Sequence, residues 1–69
     1  MLNNDEIALL KERLYDLTLE HRDLDNVISN LSQEVNFDQI LLKRLKKRKL
    51  QLKDNIVIIE SKLIPDMDA

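Results

Sequence analysis

Few residues in this chain could do chemistry, and their types and spacing limit what that chemistry could be. The sequence has no cysteine, and its one histidine is His21, so a thiol nucleophile and a tetrahedral zinc site of the usual ligands are excluded. A chain without glycine cannot form a glycine-rich phosphate loop. Asp23 and Asp25 are two positions apart, so they do not share a helix face as paired carboxylates. We therefore expect that the protein is not an enzyme and has no metal site and no cofactor.

The elements that position these residues are two amphipathic helices. Apolar side chains recur at spacings of three and four across residues 7–31, with His21 as the one polar exception. The same pattern repeats across residues 42–63, where Lys49 is the exception. A heptad pattern of this length predicts a helix with one apolar seam in each half of the chain.

Local signals predict where each helix begins and ends. Asn3 can cap the first helix with Glu6 as its capping-box partner, and Asn36 with Gln39 repeats this arrangement before the second. Pro65 stops the second helix, because proline disfavours helical backbone at the preceding residue. The prediction is a single domain, 1–69, with helix 1 at about 4–31, a connection at about 32–36, helix 2 at about 37–64 and a tail at 65–69.

An antiparallel fold-back brings the two seams together in one register. Seam positions pair when their numbers sum to 69 or 70, which places leucine or isoleucine opposite leucine or isoleucine almost throughout. The two polar exceptions then meet, and charged residues beside the seam meet opposite charges. These register pairs are His21 with Lys49, Glu20 with Arg48, and Asp25 with Lys46. The predicted fold is all-α, a coiled-coil-like antiparallel two-helix hairpin.

The predicted layer of His21 and Lys49 has two interpretations. A functional one is a proton switch or a ligand site. A structural one is a registry device, because a slipped register would bury a polar group against leucine. We favour the structural interpretation, and whether His21 responds to pH stays open.

Charge is distributed unevenly along the chain. Residues 1–38 contain nine acidic and three basic residues, whereas residues 43–53 contain seven Lys and Arg. In the predicted register the basic residues nearest helix 1 face it. Three basic residues point outward and are the candidate nucleic-acid contacts: Lys43, Arg44 and Lys47. Three outward cations on an acidic chain are a weak nucleic-acid footprint, so we disfavour this partner.

A second set of apolar residues lies beside the seam on one side of the hairpin. Its members recur every seven residues in helix 2 and continue in helix 1: Leu50, Val57, Ile64, Ala8 and Tyr15. A hairpin this small, without disulfides or metal, buries a modest core. These residues therefore predict self-association, with a dimer favoured, into a four-helix bundle. A domain-swapped dimer would preserve the same residue pairs and stays open.

Two sequence motifs resemble a known family. Residues 20–28 read E-H-R-D-L-D-N-V-I, and residues 45–56 read L-K-K-R-K-L-Q-L-K-D-N-I. Both resemble the YdcH-like family of short bacterial proteins of unknown function, over roughly residues 9–69. The resemblance implies a helical hairpin in a bacterial cytoplasmic protein, and it implies no activity.

Together these features predict a small helical-hairpin interaction or adaptor protein that self-associates. A further protein partner is compatible with this function, but the sequence does not identify it. The alternative is a small nucleic-acid-associated protein that uses the basic segment of helix 2. No apolar run approaches the roughly 20 residues of a membrane span, and the first residues lack the pattern of a signal peptide. We therefore expect a cytoplasmic protein without membrane contact.

Overall fold

The computed structural model describes residues 2–63 and contains two helices packed against each other. Helix α1 spans Asn4–Ser32 and helix α2 spans Gln39–Leu63. Of the described residues, 87% are helical, and none of them is in a strand. The predicted all-α hairpin is therefore confirmed. The predicted tail at 65–69, with the stop at Pro65, and the predicted self-association residue Ile64 lie outside the described residues.

Helix α1 begins as the sequence predicts. Asn3 has extended backbone geometry, and its Oδ1 accepts a hydrogen bond of 2.8 Å from the backbone N–H of Glu6. The side chains of Asp5 and Glu6 add negative charge in the first turn, where the helix dipole favours it. The cap and the charges together fix the start of α1.

Helix α2 begins later than predicted, and its cap is a different residue. The Oδ1 atom of Asp38 accepts hydrogen bonds of 3.0 Å from the backbone N–H groups of both Ile40 and Leu41. The carbonyl of Asp38 also accepts the first helical bond, from Leu42 N–H at 3.0 Å. The predicted cap at Asn36 is therefore wrong. Asp38 satisfies two amide groups at once and places a carboxylate at the positive end of the helix dipole.

The interior of the hairpin coincides with the predicted seam. Leu52 is fully buried, and it forms the central cluster with Leu17, Ile56 and Ile59. The partly buried side chains packed against this cluster are all seam residues: Leu10, Leu14, Leu24 and Leu63. Both members of the predicted pair Leu17–Leu52 thus lie in one cluster. Within residues 2–63, neither helix is both long enough and apolar enough to cross a membrane.

Candidate functional site

The mid-seam polar residues form an ion pair that differs from the predicted one. Lys49 Nζ donates a hydrogen bond to Asp25 Oδ1. Asp25 lies one helical turn beyond His21 on α1, so both share the face that Lys49 approaches. The long lysine side chain spans that turn. The predicted pair of Asp25 with Lys46 is therefore wrong, because Asp25 pairs with Lys49. Lys46 is exposed and is in no ion pair within the described chain.

This contact changes the acidity of Asp25. The hydrogen bond from Lys49 holds the pKa of Asp25 below its ordinary value, and the ammonium charge of Lys49 acts in the same direction. Partial desolvation opposes the shift, and the charge of His21 adds to it. Because the Asp25 side chain is 56% exposed, solvent screens the pair and it contributes little to stability.

A second ion pair joins the helices on the opposite flank of the seam. Both Nε and Nη2 of Arg48 lie 3.0 Å from Glu20 Oε2. This is the pair that the register predicts. Each side chain is 48% exposed, so the pair is worth about 0.2–1 kcal/mol. Its main effect is to fix how the two helices align.

The two ion pairs form a polar belt across the hairpin, which we define as His21, Glu20, Asp25, Arg48 and Lys49. Arg48 and Lys49 are neighbours on α2 and reach acids on opposite sides of the seam, with half-buried His21 between them. Among residues 2–63, no buried side-chain polar atom lacks a hydrogen-bond partner. No group of three or more potential metal ligands occurs there either. The belt thus joins the two helices through one ion pair on each side of the seam.

The predicted self-association residues lie at the surface. Tyr15 is 65% exposed, Leu50 is 66% exposed and Val57 is 49% exposed, and Ala8 is exposed as well. In the register of the hairpin, Val57 lies level with residues 12–13 and Leu50 with residues 19–20. The order along the hairpin is therefore Ala8, Val57, Tyr15, Leu50, alternating between the helices. We call these four residues the apolar strip.

Sequence reasoning missed one neighbour of the strip. Leu19 lies outside the seam, yet it is half-buried. It follows Tyr15 by four positions, so the two side chains share a face of α1. That spacing is the signal that could have revealed it, and it widens the apolar area at the Leu50 end of the strip.

Other apolar side chains are exposed away from the strip. Leu9 is 66% exposed and Ile58 is 51% exposed, and by helical spacing both lie on the flank opposite the strip. An open groove of about 510 Å³ also lies on that flank, between Leu9, Leu17 and the Glu20–Arg48 pair. Its remaining lining residues are Glu12, Arg13 and Asp16. The groove contains charges of both signs and supplies a comparison surface for the strip.

The predicted nucleic-acid contacts are all at the surface. Lys43, Arg44 and Lys47 are exposed, and no ion pair of the described residues includes them. Together with Lys46 they place four unpaired cations in the first half of α2. These clustered positive charges make the local potential favourable for an anionic partner.

Comparison with known proteins identifies the family. Residues 14–60 match a family described as "Protein of unknown function (DUF465)". The chain belongs to this family. This agrees with the resemblance to YdcH-like proteins. The matched segment contains the whole polar belt and three of the four strip residues, and it leaves out Ala8. No curated protein and no solved structure matches the chain significantly.

Proposed function

We propose that this protein is a small cytoplasmic interaction module that self-associates through the apolar strip. The observation that supports the proposal is the exposure of Tyr15, Leu50 and Val57 on one flank of a two-helix layer. Apolar side chains from both helices contribute to this flank, so a second hairpin could cover them all at once. An adaptor role follows if the assembled module presents its outer faces to another protein.

The energetics of a two-helix layer favour such an assembly. The described chain has only six buried apolar side chains, which is a small core for a domain without disulfides or metal. Full burial of a large apolar side chain contributes about 1.5–3 kcal/mol, and two copies would each bury the same strip. Two hairpins packed in this way would form a four-helix bundle.

A pair of matched substitutions tests the proposal. Leu50 and Leu9 are both 66% exposed on helices, but Leu50 is in the strip and Leu9 is on the other flank. We expect a wild-type molar mass of twice 8.2 kDa by light scattering after size exclusion. Leu50→Glu should be monomeric, and Leu9→Glu should remain dimeric. Dissociation by Leu9→Glu alone would assign the interface to the other flank.

The second candidate function is nucleic-acid binding, and the unpaired cations of α2 favour it. Three phosphate contacts, from Lys43, Arg44 and Lys47, would give a slope of about −2.7 for log affinity against log salt on duplex DNA. Reversing all three charges should abolish binding if these residues carry it. Absence of binding by the wild-type protein at about 50 mM salt would remove this candidate.

A further inference from the structure

The flank that contains the apolar strip changes charge along the hairpin. Residues three, four or seven positions from a strip residue share its face of the helix, and on this flank they are exposed. Near the free ends of the helices, acidic residues outnumber basic ones: Asp5, Glu12 and Glu60 against Lys11. Near the connection the neighbours are basic: Arg22, Lys43, Lys46 and Lys47. Asp25, the acid closest to them, is already paired with Lys49.

We infer that the strip binds a second copy of this chain in the antiparallel orientation, with the connection end of each hairpin against the free end of the other. This inference rests on the proposed self-association and specifies its geometry. A parallel dimer would bring two sets of four cations together at one end. Antiparallel packing places each basic end against an acidic end, and such complementarity selects the orientation.

The apolar surface of α1 is self-complementary in this orientation. The midpoint of the strip lies near Tyr15 and Val57, at about the level of residues 13–14 of α1. A two-fold axis through this point that reverses the hairpin packs α1 against α1 of the other copy and α2 against α2. Ala8 of one copy therefore lies level with Leu19 of the other, a small side chain with a large one. The symmetry repeats each contact twice, as an isologous interface requires.

The same axis identifies the charged contacts. The axis brings Arg22 on α1 to the level of Asp5 on α1 of the second copy. On α2, Lys53 is brought close to the level of Glu60 in the same way. In this dimer Arg22 is covered by the second copy. Arg44 lies on the opposite flank of α2 and stays outside the interface.

Charge reversal distinguishes the two orientations. In the antiparallel dimer Arg22→Glu should raise the dimer dissociation constant on the order of tenfold, since two attractive surface contacts become repulsive. Adding Asp5→Lys to the same chain should restore most of the affinity. In a parallel dimer Arg22→Glu would relieve repulsion between the basic ends, so tighter association would overturn the inference. Circular dichroism checks that the variants remain helical.

Disulfide trapping provides an independent readout, because the natural chain has no cysteine. We expect a mixture of Asp5→Cys and Arg22→Cys chains to cross-link with each other on oxidation. Arg22→Cys alone should remain uncross-linked. Self-cross-linking of Arg22→Cys in a dimer would overturn the antiparallel orientation and leave self-association intact. A wild-type protein that sediments as a monomer at every concentration would overturn both proposals.

Discussion

Leu52→Ala is the substitution that probes the hairpin core most sharply. Leu52 is fully buried, and it lies in the central cluster with Leu17, Ile56 and Ile59. Replacement removes the transfer free energy of the buried carbons and leaves a cavity, which costs 2–5 kcal/mol in well-packed cores. The seam of a two-helix layer lies close to solvent and can partly collapse. We therefore expect a loss of about 2–3 kcal/mol in the free energy of unfolding.

Leu9→Ala is the matched control for this experiment. Both sites are leucines within helices, so the gain in helix propensity from alanine is the same. Leu9 is 66% exposed, and its replacement should change stability by no more than about 0.5 kcal/mol. The difference between the variants therefore isolates burial at the seam.

The assay is denaturant unfolding followed by circular dichroism, with all proteins at one chain concentration. A loss of about 1 kcal/mol lowers the melting temperature of a domain this small by about 4–8 °C. Leu52→Ala should therefore also melt about 8–24 °C lower than the wild-type protein. Equal losses for both variants, or a loss below about 0.5 kcal/mol for Leu52→Ala, would refute the assignment of the core.

The other predictions concern the polar belt and the helix caps. A double-mutant cycle on Glu20 and Arg48, each replaced by glutamine, should give a coupling of about 0.2–1 kcal/mol that falls with added salt; zero coupling at low salt would show that the pair does not form. Folding lowers the pKa of Asp25, so its stabilising effect should be present above about pH 4 and disappear as the pH falls through the lowered pKa. Because solvent screens the pair, this effect is small, and the direct measurement is an NMR titration of the Asp25 carboxyl. Lys49→Gln should raise the pKa of Asp25, and an unchanged pKa would contradict the contact with Lys49. Asp38→Ala should lower the free energy of unfolding by about 1 kcal/mol, whereas Asn36→Ala should leave it almost unchanged. A larger loss for Asn36→Ala would identify Asn36 as the cap of α2.

The seam and its register could be predicted from sequence because periodic burial leaves a periodic pattern. Leu17 and Leu52 occupy seam positions in the sequence and the central cluster in the structure. Once two such seams face each other, the register also determines the flanking pair Glu20–Arg48. The central cluster and this ion pair both follow from the way the two helices pack, so the spacing of residues in the sequence is enough to predict them.

The cap of α2 and the partner of Asp25 depend on geometry that spacing does not contain. Asn36 and Asp38 are both residue types that cap helices well, and the path of the connection decides between them. Lys46 is the nearest cation to Asp25 by register. Lys49 reaches it instead because a lysine side chain spans a full helical turn. Local conformation and side-chain reach therefore limit the prediction.

The apolar strip could be found from sequence, but its partner could not. The spacing of Leu50 and Val57 predicts side chains beside the seam, and the structure places both at the surface. The sequence pattern of one chain does not show which surface packs against the strip. The change of charge along the same flank is what led us to an antiparallel second copy.

Sedimentation equilibrium of the wild-type protein over a range of chain concentrations tests the central claim most directly. We predict a reversible equilibrium that reaches twice the chain mass of 8.2 kDa at high concentration. The melting temperature should rise with concentration over the same range, because dimerisation stabilises the folded chain. A mass of 8.2 kDa at every concentration, with cooperative melting independent of concentration, would contradict self-association through the apolar strip.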